Sequence, residues 1–268
     1  MRHDAGKAAM AFNEGMEMTD DRLRDMLELD RYPLSAKYDP DWIFDNEMGP
    51  NVLWVTEAMS QAIELRPDMR VLDLGCGKAL SSIFLAKEFG VQVWATDLWI
   101  SATDNLARIR EAGVEDQVFP IHAEAHSLPY ADEFFDAIVS MDAYHFFGTD
   151  IHYLEYYMLK LLKRGCQIGI VAPASPTQLP VPVPDYLGEW AYFMNSVEWW
   201  RHHWERYPEL DLELAEELPE GWDLWVRWHE CQKAAGRSKD RHLSELRELK
   251  ADGGHHFGFV RMVGRRRA

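Results

Sequence analysis

The sequence predicts an α/β protein in which a mostly parallel β-sheet carries helices on both faces. Two observations predict this fold class. Between residues 68 and 172, five short apolar segments alternate with helix-like segments. The apolar segments also have the length and composition of strands that are buried on both faces. Alternation of this kind implies right-handed crossovers between parallel strands.

The five predicted strands span residues 70–74, 91–96, 117–121, 136–140 and 167–172. Three helices are predicted between them, at residues 80–89, 102–112 and 151–163. The middle helix shows the clearest boundaries, because Ser101 can cap its start with Asp104 as capping-box partner, and Gly113 follows its end.

The flanking regions differ from this core in composition and in their predicted elements. Residues 1–66 read as a helical N-terminal cap or lid, 67–172 as the α/β core, and 173–268 as a Pro- and Trp-rich insertion that also supplies the last strands. Five prolines between residues 173 and 184 argue against a helix or a central strand there. Seven of the eleven tryptophans fall within residues 190–228, which indicates a distinct packing or binding unit.

Beyond the prolines, helices are predicted at residues 196–207 and 222–250, the latter broken near Gly236. Alternating segments at 210–215 and 256–263 predict two more strands. The sheet therefore has seven strands and is doubly wound, in the manner of a Rossmann-like fold.

Composition excludes several classes of function. The formal net charge of -17 repels phosphate backbones, so nucleic acid is not an expected partner. No apolar run approaches the roughly 20 residues that span a bilayer, and no stable membrane association is expected. Three dispersed cysteines predict neither a disulfide framework nor a metal site. His122 and His126 are four residues apart but fall on a predicted loop, and the other histidine pairs are adjacent, so we expect no metal. The first fifteen residues lack the apolar segment of a secretory signal, and with the dispersed cysteines this predicts a cytoplasmic protein. We expect a monomer or a homodimer.

The strongest motif is VLDLGCGKA at residues 71–79, where a predicted strand runs into a glycine-rich turn and a helix opens. Gly75, Cys76 and Gly77 let the backbone approach a ligand, and the helix N-terminus offers free N–H groups. A dinucleotide site has a third glycine, but Leu80 stands in its place. Asp73 would repel a pyrophosphate, whereas it can help to hold an α-amino group. The motif therefore favours a nucleotide that carries an amino acid and no phosphates.

A second motif follows at the predicted tip of the second strand. Asp97 there can accept hydrogen bonds from both hydroxyls of a ribose, at a distance from the first motif that suits a strand–helix–strand unit. Leu98 and Trp99 would then flank the adenine.

A third motif, AEAHSLPY at residues 123–130 followed by Phe135 and Asp136, resembles the G-D-A-x-x-L-P-F … F-D stretch of class I S-adenosylmethionine-dependent methyltransferases. Residues 162–165 resemble that family's L-K-P-G-G. The resemblance covers residues 68–172. It implies S-adenosylmethionine as cofactor and S-adenosylhomocysteine as product, with Ala123, Glu124 and Ala125 at the adenine edge. Glu124 replaces the family's Asp and keeps the acceptor oxygens.

The segment after the fourth strand holds the candidate catalytic residues Asp142, Tyr144 and His145, because ligands bind at the carboxyl ends of such strands. The resemblance implies that a residue here contacts the cofactor, for which we take Ser140, and that a histidine borders the acceptor. It also implies an N-terminal lid over the cofactor, with Tyr38 and, further along the segment, Met48 and Gly49. The competing interpretations are ordinary packing for Tyr144, a structural imidazole for His145 and a ligand-free cap for the N-terminus.

These observations predict a methyltransferase that acts on a small molecule by in-line displacement. Indole-rich walls favour an apolar, aromatic or amine acceptor. Three alternatives stay open at this point: a lipid-directed enzyme similar to cyclopropane fatty acid synthases, a non-catalytic module that binds S-adenosylmethionine, and an NAD(P)-dependent oxidoreductase.

Overall fold

The computed structural model describes residues 20–268, and the part of the predicted N-terminal cap that falls on residues 1–19 lies outside them. The strands are β1 (Arg70–Leu74), β2 (Gln92–Asp97), β3 (Val118–His122), β4 (Phe135–Met141), β5 (Leu162–Ala174), β6 (Leu210–Glu217) and β7 (Gly258–Arg266). The helices are α1 (Asp20–Leu27), α2 (Pro40–Asn46), α3 (Val52–Ser60), α4 (Leu80–Phe89), α5 (Ala102–Glu111), α6 (Val197–Glu205), α7 (Gly221–Ala234) and α8 (Asp240–Asp252). Among residues 20–268, every helix is too short or too polar to span a bilayer.

The seven strands form one sheet in the order β3-β2-β1-β4-β5-β7-β6. Strands β1 to β5 pair in parallel, and β7 runs antiparallel between β5 and β6. The predicted mostly parallel, seven-stranded, Rossmann-like sheet is confirmed. Its strand order reverses between β1 and β4, and open sheets of this type bind ligands outside the carboxyl ends of the strands at such a point.

Alternate side chains of the sheet pack into two separate cores. Val71 and Val139 face the core that contains α3 and α4. Leu72 and Ile138 face the opposite core, with α6 and the segment at residues 153–162. Burial on both faces explains why these strands are continuous apolar runs, since each fully buried aliphatic side chain contributes about 1.5–3 kcal/mol.

The helix predicted at residues 151–163 is shorter than expected and is not a regular α-helix. The structure has a π-helical turn at Leu154–Met158 and a 3-10 turn at Leu159–Leu161, and β5 begins directly at Leu162. The buried residues explain the difference. Tyr153 and Met158, like Leu154 and Leu159, are buried five residues apart, and the Leu159 N–H bonds to the Leu154 carbonyl. A wider turn therefore buries these side chains where a regular helix would rotate them away from the core.

The prediction that Pro173 leaves the sheet is also wrong. Pro173 lies in β5, a central strand, opposite Phe259 of β7. The Val171 carbonyl bonds to the Asp142 N–H on the β4 side (2.8 Å), so the position of Pro173, two residues on, faces the same side. Because β4 has already ended at Met141 there, the missing N–H of the proline breaks no ladder bond.

The tryptophan-dense region does not form one unit. Trp200 and Trp204 of α6 are fully buried in one core, and Trp225 and Trp228 of α7 are buried in the other. Trp190 lies on the irregular segment between β5 and α6, whose 3-10 turns span Asp185–Tyr192. Most of these indoles therefore pack in the two cores between the sheet and the helices on its faces.

A buried carboxylate fixes the N-terminal segment to α3. Glu57 is 1% exposed and accepts hydrogen bonds from the Leu34 N–H (3.0 Å), the Ser35 N–H (2.7 Å) and the Ser35 Oγ (2.6 Å). The guanidinium of Arg227 in α7 donates to the Met26 carbonyl at the end of α1 (2.6 Å). These bonds set the path of the chain through α2 to residues 46–50, which reach the functional site.

We predict that Glu57→Gln lowers the free energy of unfolding by about 1–3 kcal/mol, because an amide cannot accept all three buried hydrogen bonds. Urea unfolding measures this change. Glu115→Gln, an exposed position, is the matched control and is expected to change little. Equal stabilities for the two variants would contradict the prediction.

Candidate functional site

A cavity of about 490 Å³ opens at the carboxyl ends of β1, β2, β3 and β4. Its size suits a ligand as large as a nucleotide. The loops after these strands contribute residues 74–78, 96–99, 123–126 and 141–147 except for residue 144. The opposite wall is built by residues 46–50 with Val52, Leu80, Trp190, Phe193, Trp225, His229, Arg241, His242 and Glu245.

The turn after β1 lies against the rest of the site with no room for side chains at its glycines. Gly75 has φ +77°, and a Cβ there would come within 2.3 Å of the Ala143 Cβ. Gly77 has φ +54°, and a Cβ there would come within 2.9 Å of the Met48 Sδ. The backbone of this turn, with Cys76 between the glycines, forms the cavity floor.

Asp97, at the tip of β2, joins the two neighbouring loops. One carboxylate oxygen accepts the Gly77 N–H (2.8 Å), and the other accepts the N–H groups of Trp99 (2.7 Å) and Ile100 (2.9 Å). The side chain lines the cavity, where the sequence places an acceptor for ribose hydroxyls. Leu98 and Trp99 stand beside it and are largely exposed at the cavity mouth.

Residues 123–126 line the same side of the cavity. The Glu124 carboxylate accepts the backbone N–H of His126 (2.8 Å) and contacts its Nδ1 (2.8 Å). These hydrogen bonds lower the pKa of Glu124. Ala123, Glu124 and Ala125 thus form a wall that carries a carboxylate, next to Leu98 and Trp99.

The structure corrects the position predicted for Asp73. Its carboxylate is fully buried, does not line the cavity, and accepts hydrogen bonds from Ser81 Oγ and Ser82 Oγ (both 2.6 Å) at the start of α4. Burial raises its pKa to about 6, against the effect of the two serines. Asp73 therefore anchors α4 to β1 through Oδ2, while its Oδ1 has no hydrogen-bond partner among the described residues.

Tyr38 and Ser140 also lie away from the cavity. The Tyr38 ring stacks on Trp42 with 5.7 Å between ring centroids, and its hydroxyl donates to Glu88 (3.3 Å). Ser140 is fully buried and donates from Oγ to the Leu74 carbonyl (2.8 Å). Both positions precede the segment that reaches the cavity, so their roles are in packing and backbone bonding.

The structure also corrects the prediction that Tyr144 is a catalytic residue. It is fully buried on the far face of the sheet, with ring centroids 5.6 Å from Trp200 and 5.9 Å from Trp204. A 3-10 turn at Tyr144–Phe146 causes this, because it sends Tyr144 into the core while His145 stays at the cavity. Tyr144 cannot contact a ligand there.

Asp142 and His145 both line the cavity, as do Met48 and Gly49. Asp142 has φ +55°, and its Oδ2 lies so close to Gly49 that a Cβ on that glycine would come within 2.3 Å of it. Burial, and then the nearby charge of Glu245, raises the pKa of Asp142 to about 8. Met48 and Gly49 accordingly form the roof over the strand ends.

His145 is 7% exposed, and burial lowers its pKa to about 4. Its ring packs on Phe146 (4.0 Å between centroids) and faces Phe193 (6.1 Å). Within residues 20–268, no group bonds its buried Nδ1. At neutral pH the imidazole is therefore uncharged and keeps a free lone pair.

Sequence reasoning missed the polar residues that α7 and α8 bring to the cavity. Trp225 and His229 are four residues apart in α7, and Arg241 and Glu245 are four apart in α8, so each pair shares one helix face. The four-residue spacing is visible in the sequence and predicts a shared helix face. It does not predict that the two helices pack against the carboxyl edge of the sheet.

Glu245 holds a hydrogen-bonded position in this wall. Its Oε1 accepts the Trp225 Nε1–H (2.6 Å) and lies 3.2 Å from His229 Nε2. His229 Nδ1 contacts the Gln232 side-chain oxygen (2.9 Å). Nearby, buried Glu47 lies 3.9 Å from His242 and 3.6 Å from Lys239. No group of three or more potential metal ligands occurs in the described part of the chain.

Comparison with known proteins agrees with this geometry. Residues 71–165 match a family model described as a methyltransferase domain. Methyltransferase GfsG from Streptomyces halstedii is 31% identical over 118 residues, which are 43% of this chain and 42% of that protein. Demethylmenaquinone methyltransferase from Mycobacterium marinum is 33% identical over 91 residues, 34% of this chain and 36% of that protein. The chain thus spans less than half the length of these curated relatives.

Solved structures share the fold. The [4+2]-cyclase SpnF superposes with a TM-score of 0.65 at 17% identity, over 80% of this chain and 81% of that one. Geranyl diphosphate C-methyltransferase from Streptomyces coelicolor A3(2) has a TM-score of 0.63 at 17% identity, over 80% and 78%. The resemblance to class I S-adenosylmethionine-dependent methyltransferases is confirmed, since residues 71–165 match the methyltransferase-domain model and the structure shares the fold.

We predict that Asp142→Asn stabilises the protein increasingly as the pH rises. A folded-state pKa of about 8, above the ordinary value of 3.8, means that the stability present below the ordinary pKa is lost as the pH rises through the folded pKa. The asparagine avoids this loss and tolerates the left-handed backbone.

The advantage of Asp142→Asn in free energy of unfolding should grow by at least about 1 kcal/mol between about pH 5 and pH 8. Urea unfolding at several pH values measures it. Asp116→Asn, at an exposed site, provides the control. An advantage that does not change with pH would refute the burial argument.

Proposed function

We propose that this protein transfers the methyl group of S-adenosylmethionine to a small-molecule acceptor by in-line displacement. The observation that carries the proposal is the cavity at the carboxyl ends of β1 to β4, with a glycine floor at Gly75 and Gly77 that Asp97 holds in place. The domain match covers the same strands and loops.

The residues present fit this cofactor. Asp97 offers carboxylate oxygens for the ribose hydroxyls, and Leu98 and Trp99 offer apolar surface for the adenine. Gly75 and Gly77 let the turn pack closely against Ala143 and Met48, so its backbone lines the cavity where the aminoacyl part would lie. When bound, S-adenosylmethionine supplies an activated methyl group on a sulfonium centre.

The same geometry disfavours a dinucleotide. A pyrophosphate needs the free N–H groups of the glycine-rich turn. Here the Gly77 N–H already donates to the Asp97 carboxylate, at 2.8 Å. A phosphate at that position would meet a negative charge instead of a donor, so we set aside the NAD(P)-dependent oxidoreductase.

Asp142 and His145 are the two cavity groups from the β4 loop that can take a proton from an acceptor. His145 is uncharged at neutral pH because burial lowers its pKa to about 4, which makes it a weak base for a hydroxyl or an amine. Asp142, with its pKa raised to about 8, is the stronger base once ionised. Apart from this proton transfer, the protein contributes by aligning the acceptor with the methyl group of S-adenosylmethionine.

The acceptor is an apolar, aromatic or amine-bearing small molecule in this proposal. Trp190, Phe193 and Trp225 give the cavity an aromatic wall opposite the strand ends. We also propose a cytoplasmic location, since Cys76, Cys166 and Cys231 are all free thiols.

We predict that S-adenosylmethionine and S-adenosylhomocysteine bind saturably in calorimetric titrations, and that NAD does not. Asp97→Ala should weaken both by about 100-fold, because it removes a charge-assisted hydrogen bond to the ribose and releases the turn that Asp97 holds. Asp116→Ala, an exposed acid in the same half of the chain, is the matched control.

Circular dichroism of Asp97→Ala checks that the loops it joins leave the fold intact. Binding of NAD without S-adenosylmethionine, or unchanged affinity in a folded Asp97→Ala, would overturn the proposed function.

A further inference from the structure

The acidic and basic residues around the acceptor end of the cavity differ in their exposure to solvent. We define the acceptor end as the part bounded by Asp142, His145, Trp190, Phe193, Trp225 and Glu245. Its acids are half-buried: the Glu245 side chain is 22% exposed, and Asp142 also has intermediate exposure. The cation on this wall, Arg241, is exposed at the mouth. Half-buried charges act more strongly than exposed ones, which water and salt screen.

Aromatic rings line the same end of the cavity as these acids. Trp190 meets Trp225 edge to face with 5.1 Å between ring centroids, and Phe193 lies 6.0 Å from Trp190. The faces of such rings attract cations. Carboxylates combined with aromatic faces recognise an organic ammonium group, whereas an anion would be repelled by the same acids.

The orientation of Glu245 leaves one oxygen for a ligand. Trp225 and His229 both approach Oε1, and Gln232 in turn contacts His229. Among the described residues, no group bonds Oε2, although the side chain lines the cavity. Asp142 likewise accepts no side-chain or backbone hydrogen bond from residues 20–268. Two half-buried acids therefore face the cavity with acceptor capacity unused.

We propose that the acceptor is an amine which enters as a cation and is held by Glu245 and Asp142 between Trp190, Phe193 and Trp225. This inference rests on the proposed function and narrows its acceptor to one class. Asp142, which its raised pKa keeps protonated at neutral pH, ionises when the cation binds, and the cation also supplies a counter-charge to Glu245.

The ammonium group gives one proton to the Asp142 carboxylate, which passes it to solvent. The freed nitrogen lone pair forms the N–C bond to the methyl group, and the C–S bond breaks with its electron pair on sulfur. The products are a methylated ammonium ion, S-adenosylhomocysteine and one released proton. Asp142 suits this role better than His145, since a base with the higher pKa takes an ammonium proton more readily.

Matched pairs of ligands test the inference. Tryptamine and phenethylamine are compared by calorimetry with their neutral isosteres tryptophol and 2-phenylethanol, on protein saturated with S-adenosylhomocysteine. We expect each amine to bind wild-type protein at least about tenfold more tightly than its alcohol. Glu245→Gln should reduce this preference about tenfold, while Glu248→Gln, on the same helix but outside the cavity wall, should leave it unchanged.

A second variant keeps the inference testable if Glu245→Gln does not fold. Trp190→Leu keeps an apolar wall but removes an aromatic face, so it should weaken the amines by about threefold or more and spare the alcohols. Alcohols that bind as tightly as amines, no amine binding through the millimolar range, or a preference that survives both variants would overturn the inference. The titration with S-adenosylhomocysteine that precedes these measurements tests the proposed cofactor site independently of the acceptor.

Discussion

The carboxylate of Asp97 is the interaction on which the site depends. It accepts N–H groups from the glycine-rich turn after β1 and from the loop after β2, so a single side chain fixes two neighbouring strand ends. The turn can then lie flat under the cavity, because Gly75 and Gly77 carry no Cβ. A buried acid that satisfies three donors is rigid and well compensated, which is what a preorganised ligand site requires.

The rest of the cavity is assembled from chain segments that are distant in sequence. Residues 46–50 are brought over the strand ends by the bonds of Glu57 and Arg227. Helices α7 and α8 return to the same edge and contribute Glu245 with its aromatic neighbours. One half of the site is thus built by the sheet and the other by helices that pack against it. This division separates the half suited to a nucleotide from the half suited to an acceptor.

The sheet could be predicted from the sequence, because strands buried on both faces leave apolar runs that alternate with capped helices. The loop after β4 shows where such reasoning ends. Asp142, Tyr144 and His145 are near neighbours at a strand end, yet a 3-10 turn sends Tyr144 into the opposite core. Asp73 likewise carries the right chemistry, but the start of α4 covers it with two serines. Glu245 was missed because tertiary packing alone brings α8 to the cavity.

A crystal structure of the protein with S-adenosylhomocysteine tests the central claim most directly. We expect the ribose to bond to Asp97, the adenine to lie beside Leu98 and Trp99, and the sulfur to face the end bounded by Asp142 and Glu245. Ligand density elsewhere, or a ribose that makes no contact with Asp97, would contradict it.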